Sequence, residues 1–278
     1  MCALLSMPRT LILSDLHMGH DGAEAVTARS LARVCDGIDE LIINGDVAEL
    51  DYPRFRKKAL AEVESLKAMT DQMGIRLRFL TGNHDPLVSD DHMATFFNGE
   101  VVAMHGHAVH PGITPWWPSS PKLRRGFDRE LEAMDELTRS SPLGPLEAAR
   151  TTCAQEWARV QPTLKARGTR PSRLHFLLRR PHAPLQILWY WATYPRRCAD
   201  FAHRYLPDCR VLIVGHSHRH GIWRRGHLTI INTGAYRFPG KPRGVVITHD
   251  ALSLHRIALD SGQWSVTEDP LWVFQKDA

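Results

Sequence analysis

Five short apolar runs along the chain end in the same way, each breaking into polar residues that strand packing does not require. They are TLILSDLH (10–17), ELIINGD (40–46), RLRFLTGNHD (76–85), EVVAMHGH (100–107) and RVLIVGHSH (210–218). A core of four or five residues rich in Ile, Leu and Val fits a strand buried on both faces. Between the first three runs lie segments of helical character. AEAVTARSLARVC (23–35) carries apolar residues at Val26, Leu31 and Val34, and YPRFRKKALAEVESLKAMTDQMG (52–74) has Pro53 near its start and Gly74 past its end, the polarity a helix prefers. Strand, helix, strand, helix, strand predicts an α/β fold with a parallel sheet and right-handed crossovers. Ligands of such sheets gather at the carboxyl ends of the strands, where every polar cluster above falls.

From Pro111 to Leu206 the pattern changes. KLRRGFDRELEAMDELTRS (122–140) puts Leu123, Phe127, Leu131, Met134 and Leu137 on one helical face. GPLEAARTTCAQEWARV (144–160) predicts a second helix and APLQILWYWATYPRRCADFAHRYL (183–206) a third, with a kink expected at Pro195. The block interrupts the strand plan, so the expected division is a first catalytic part over 1–110, a helical cap insertion over 111–206 and a second catalytic part over 207–278. After it, HLTIINTG (227–234), GVVITHD (244–250) and LSLHRIAL (252–259) predict further strands, expected to be antiparallel.

Composition changes this picture little. With 278 residues, 43% hydrophobic and 23% charged, the chain is that of an ordinary globular protein. A net charge of +5 and a pI near 9.1 suit anionic partners without choosing among them. The five cysteines (Cys2, Cys35, Cys153, Cys198, Cys209) form no C-x-x-C pair, which argues for reduced thiols and a cytoplasmic setting. MCALLSMP lacks the basic start of a signal peptide, and no apolar window reaches membrane-spanning length. MPRTLILSDLH itself reads as a natural beginning, so translation from Met7 is an alternative to Met1.

Taken singly, the polar clusters have dull explanations. Asp15 and His17 fit a turn, Asp46 after Gly45 fits a helix N-cap, and GHSHRHG fits a solvated loop. Their coincidence at five strand ends changes the odds. Asp, His and Asn donors without cysteine form a set of intermediate hardness that suits Mn²⁺, Fe or Zn²⁺, with more ligands than one tetrahedral ion accepts. Two cations about 3.5 to 4 Å apart neutralise an anionic phosphoester and turn a shared water into hydroxide near neutral pH. In GNHDP, Gly82 and Pro86 serve the turn and Asn83 offers a neutral oxygen, while His84 is free to face a substrate and protonate a leaving oxygen. Asp85 has two open roles, as the orienting partner of His84 or as a cap or clamp of the backbone.

In order along the chain, Asp15-Leu16-His17, Gly45-Asp46, Gly82-Asn83-His84-Asp85, His105-Gly106 and Gly215-His216-Ser217-His218 resemble the signature of the calcineurin-like metallophosphoesterases. The resemblance covers 9–107 and 210–258. It implies an α/β/β/α sandwich of two mixed sheets with an inserted helical cap. It also implies two divalent ions, Mn²⁺ ahead of Fe or Zn²⁺. Asp15, His17, Asp46 and His218 would hold one, and Asp46, Asn83, His105 and His216 the other, with Asp46 bridging. His105 rather than His107 is assigned because it directly precedes Gly106.

The window from Lys165 to Arg204 holds Lys165, Arg167, Arg170, Arg173, Arg179, Arg180, Arg196, Arg197 and Arg204 against only Asp200. Phe176, Leu177, Leu178, Leu188, Trp189, Tyr190, Trp191 and Tyr194 are interleaved with them. Such a mixture suits an anionic membrane surface or an amphiphilic phosphate, so peripheral membrane contact joins the cytoplasmic expectation. The alternative is that the aromatics only fasten the cap. The helical insertion is similar to the lid of the enzymes that hydrolyse UDP-2,3-diacylglucosamine at its pyrophosphate, although those carry Arg where this chain has His84. The expected function is therefore hydrolysis of a phosphoester or pyrophosphate, on an anionic, nucleotide- or lipid-linked substrate. Cyclic nucleotide phosphodiesterase and nuclease are alternatives, nucleic acid being the weaker partner. A non-catalytic scaffold of the same fold is the alternative of another class, and the oligomeric state stays open.

Overall fold

The computed structural model of the protein describes residues 8–21, 25–115, 117, 119–167, 180–237 and 240–276, with the side chains of 160–167 excepted. Met7, Arg170, Arg173, Arg179, Phe176, Leu177 and Leu178, and the side chains of Lys165 and Arg167, lie outside the described residues. The first part of the chain runs β1 (Thr10–Leu13), β2 (Glu40–Asn44), α1 (Pro53–Gln72), β3 (Arg76–Leu80), β4 (Met93–Phe96) and β5 (Val101–Met104). A helical segment follows: α2 (Ser120–Glu132), α3 (Glu136–Ser140), α4 (Leu143–Arg167) and α5 (Ala183–Tyr205). The chain then returns to strands, with β6 (Val211–Val214), β7 (Gly221–Arg225), β8 (Leu228–Asn232), β9 (Arg243–Ile247), β10 (Ala251–Asp260), β11 (Gln263–Val266) and β12 (Trp272–Gln275).

The strands form two mixed sheets, one ordered β11-β10-β9-β1-β2-β3 with β12 beside β10, the other β4-β5-β6-β8-β7. Alternation along each central strand explains the layers. Leu11, Leu13, Leu41 and Ile43 join a core with Ala59, Val63 and Leu66 of α1. Ile12 and Ile42 point the other way, into a middle core shared with Val101, Ala103, Val211 and Ile213 of the second sheet. Val102, Met104, Leu212 and Val214 then face Tyr190, Tyr194 and Cys198 of α5. Each of these central strands is buried on both faces because a sheet or a helix covers each side, which is the α/β/β/α sandwich.

Four local expectations change. Among the described residues, the helix expected over 23–35 is a 3-10 turn at Arg29–Cys35, whose start is fixed by Thr27 and Ser30 exchanging side-chain bonds with each other's backbone N–H (3.0 and 3.1 Å). The helix expected over 122–140 divides into α2 and α3, since the Asp135 carboxylate accepts from Thr138 N at 2.9 Å and starts a new helix; Leu137 is 83% exposed, off the apolar face. β8 is antiparallel to β7 but parallel to β6. α5 runs unbroken through Pro195.

Candidate metal centre

Asp15 and His17 follow β1, Asp46 follows β2, Asn83 follows β3, His105 follows β5, and His216 and His218 follow β6, each within four residues of the strand end. Asp15, His17, Asp46, His216 and His218 all hold positive φ, between 48° and 62°. Left-handed backbone is unfavourable for such residues and persists only where the surroundings enforce it. Here it turns the chain sharply off the sheet edge. The turns also fasten one another: His17 N donates to Asp46 O (3.0 Å), His216 N to the Asp15 carboxylate (3.1 and 3.2 Å) and His84 N to Asp46 Oδ1 (2.9 Å). Gly82 is not among the residues with positive φ; it supplies room, since a Cβ there would overlap Asp46 N, Asp46 Oδ1 and Asp85 Oδ1.

Three of the four imidazoles, those of His17, His105 and His216, have one nitrogen facing outward to an oxygen. His17 Nδ1 lies 3.0 Å from Glu49 Oε1, His105 Nδ1 2.9 Å from Asn44 O and His216 Nε2 3.1 Å from Ile113 O. Those oxygens accept, so each neutral ring carries its proton there and presents a lone pair on its other nitrogen. The inner nitrogens converge. His17 Nε2 is 3.1 Å from His218 Nε2 and 3.9 Å from both Asp15 Oδ1 and Asp46 Oδ2. His218 Nε2 is 3.3 Å from Asp15 Oδ1, His105 Nε2 3.3 Å from Asp46 Oδ2, and His216 Nδ1 2.7 Å from Asn83 Oδ1. Wherever both facing atoms carry only lone pairs they repel unless positive charge stands between them, and a cation would supply it.

His105 Nε2 is moreover buried without a hydrogen-bond partner. The donors therefore fit divalent cations. Asp15, His17, Asp46 and His218 form one group and Asp46, His105 and His216 another, with Asp46 common to both and Asn83 joining the second beside His216. Burial pushes the carboxyls of Asp15 and Asp46 up, but the imidazoles around them, His218 and His105 for Asp15 and His105, His84 and His17 for Asp46, outweigh it and hold both below the usual range. Burial pushes His105 down, yet Asp46 raises it to about 9, a proton that a cation would displace. His216 is pushed down to about 3 by burial and by His105, which favours a neutral ligand.

The role of Asp85 as orienting partner of His84 is not what the geometry contains. Its oxygens accept from the backbone N–H groups of Asp46 (3.2 Å), Val47 (2.5 Å) and Ala48 (3.2 Å), so it clamps the turn that carries Asp46. His84 Nδ1 instead faces Glu49 Oε2 at 3.4 Å and Asp51 Oδ2 at 3.3 Å. Glu49, only 2% exposed, also lies 3.0 Å from His17 Nδ1 and 3.0 Å from His20 Nε2. Sequence reasoning missed both carboxylates. Their signal was the acidic pair three and five residues past Asp46 in GDVAELD, a pattern that solvated turns share. His107 is buried beside His105 but joins neither ligand group.

α5 packs directly on these turns. Tyr194 OH donates to Gly106 O (3.3 Å) and Gly215 O (3.2 Å), and Trp191 Nε1 donates to Ser217 O (2.8 Å). Of the aromatics in the basic window, Tyr190 and Tyr194 are thus packing residues, whereas Trp189 is 68% exposed.

Several solved structures are similar to this one. Vps29 from Entamoeba histolytica complexed with zinc is 14% identical, with 94% of this chain and 98% of that chain covered and a TM-score of 0.45. A dimetal phosphatase from Danio rerio is 10% identical, with 98% and 99% covered and a TM-score of 0.46. A predicted phosphoesterase from Streptococcus pneumoniae is 14% identical, with 98% and 99% covered and a TM-score of 0.39. Comparison with curated proteins finds no match. The model of the calcineurin-like phosphoesterase family matches residues 8–220, most of the chain and all seven predicted ligands, and the chain belongs to that family.

Proposed function

We propose that the protein is a dinuclear-metal phosphohydrolase of phosphoester or pyrophosphate bonds. One observation carries this: the inner nitrogens of His17, His105, His216 and His218 converge on one another and on Asp15, Asp46 and Asn83. Asp15, His17, Asp46 and His218 would hold one ion and Asp46, Asn83, His105 and His216 the other, Mn²⁺ suiting the mixed donor set and Fe or Zn²⁺ being alternatives. When bound, two such ions neutralise phosphoryl oxygens and activate water near neutral pH.

The chain's own residues supply the rest. His84 is part-exposed, and burial, which lowers its basicity, is outweighed by Asp51, Glu49 and Asp46, so its pKa stands well above the ordinary value. With Nδ1 held by the two carboxylates, Nε2 donates a proton to the leaving oxygen. Asp85 keeps the Asp46 turn in register.

In this reading residues 111–206 act as a cap that restricts access, and the substrate is a nucleotide- or lipid-linked pyrophosphate. Leu185 (69% exposed), Leu188 (56%) and Trp189 (68%) stand on the outer face of α5, on a helix whose charged residues are Arg196, Arg197, Arg204 and Asp200. An apolar stripe continued by cations suits an anionic membrane surface. No described helix is long and apolar enough to cross a membrane.

Metal-reconstituted protein assayed against p-nitrophenyl esters, cyclic nucleotides, UDP-sugars, lipid-linked pyrophosphates and nucleic acid tests the proposal. Asn83→Ala and His216→Ala should each lose one ion and most turnover; turnover of nothing by protein holding both ions would favour a binding role. Leu188→Asp with Trp189→Asp should abolish sedimentation with phosphatidylglycerol vesicles, and unchanged sedimentation would leave α5 a packing helix.

A further inference from the structure

Among the described residues Ile113 is the only β-branched one with left-handed backbone, at φ 54°. Such a residue is an outlier wherever it occurs. The strain is enforced from several sides. Its side chain is 1% exposed and packs with Leu123 of α2 and Cys153 of α4. Ile113 N donates to His110 O at 2.7 Å, Gly112 N to His110 Nδ1 at 2.9 Å, and Ser120 Oγ to Gly112 O at 3.1 Å. The result is a carbonyl aimed out of the helical segment at His216 Nε2, 3.1 Å away.

A neutral imidazole has one ring proton. If Ile113 O takes it at Nε2, the lone pair must sit on Nδ1, the nitrogen 2.7 Å from Asn83 Oδ1. We infer that Ile113 is a positioning residue: through its carbonyl, the segment between β5 and β6 fixes the tautomer of His216 and thereby completes the second ion's ligand set. The Ile113 carbonyl then couples this turn to the ligand set, and displacing that carbonyl weakens the ion without touching a ligand. The inference rests on the two-ion reading, but its first test does not.

¹⁵N-histidine NMR of the full chain, Zn²⁺-loaded and after chelation, should show His216 protonated at Nε2 in both states, its signal assigned by loss in His216→Gln. A proton on Nδ1, or rapid averaging after chelation, would overturn the inference whatever the protein hydrolyses. Zn²⁺ titration then separates carbonyl from packing. Ile113→Gly retains the φ and the carbonyl, so the second Zn²⁺ should bind within about threefold of wild type, whereas Ile113→Pro cannot adopt φ 54° and should weaken it about 10- to 100-fold with the first ion little changed. Leu123→Ala, which thins the same apolar cluster, should resemble Ile113→Gly. Equal losses in all three variants, or none in Ile113→Pro, would refute the role. Should Ile113→Pro fail to fold, the wild-type and Ile113→Gly spectra still decide. A wild type that binds a single Zn²⁺ would overturn the two-ion reading and leave the tautomer result standing.

Discussion

Glu49 offers the sharpest perturbation, because one buried carboxylate faces His17, His20 and His84. Glu49→Gln preserves shape and keeps an oxygen for His17 and His20, so the metal content should hold. The amide nitrogen, however, replaces the oxygen that lies 3.4 Å from His84 Nδ1, leaving Asp51 at 3.3 Å as the remaining carboxylate on that ring. Leaving-group protonation is worth about 10²- to 10⁴-fold in rate. If two carboxylates at similar distance share the support of His84, removing one forfeits about half of that effect on a logarithmic scale, or about 10- to 100-fold in kcat.

The loss should grow with the pKa of the leaving group, since a good leaving group does not need the proton. Aryl phosphodiesters of graded leaving-group pKa, assayed on protein whose metal content is measured in parallel, read this directly. Glu49→Gln with Asp51→Asn should approach His84→Ala, and adding His84→Ala to that pair should cost little more. Losses that multiply independently, or a Glu49→Gln effect indifferent to the leaving group, would refute the coupling.

Asp85→Ala strips the acceptor from three buried N–H groups, and at about 1 kcal/mol or more for each should destabilise the metal-free protein by about 3 kcal/mol or more in urea unfolding; a change under about 1 kcal/mol would exclude the clamp. Tyr194→Phe removes the hydroxyl shared by Gly106 O and Gly215 O and should cost about 1 kcal/mol in the same assay, with no loss indicating that α5 holds the turns by packing alone. His110 is pushed down to about 4 by burial and by the charges of Arg197 and Arg124. Its folded pKa lies below the unfolded value near 6.5, so the unfolded chain binds more protons and wild-type Tm should fall as pH drops from about 6.5 toward 4. His110→Asn, which retains an acceptor for Gly112 N, should flatten that slope, and an unaltered slope would remove His110 as its origin.

The positions of the strands and of the polar residues that end them were legible in the sequence, because burial on both faces demands an uninterrupted apolar run whose end is visible wherever it occurs. The turns that carry Asp15, His17, Asp46, Asn83, His105, His216 and His218 could therefore be located before any fold was known, and it was the resemblance to the family signature that singled out these seven residues within them. Glu49, Asp51 and Ile113 could not be singled out, since their significance is a distance to a residue elsewhere in the chain: Ile113 meets His216 only because α2 and α4 bury it over the sheet edge. Nothing in GNHDP distinguishes a carboxylate that bonds its neighbour His84 from one that reaches back to the amides of 46–48. Local alternation records which residues a strand must bury, whereas the stacking of two sheets decides which turns face each other, and it is across those turns that the ligand set and its proton partners are assembled.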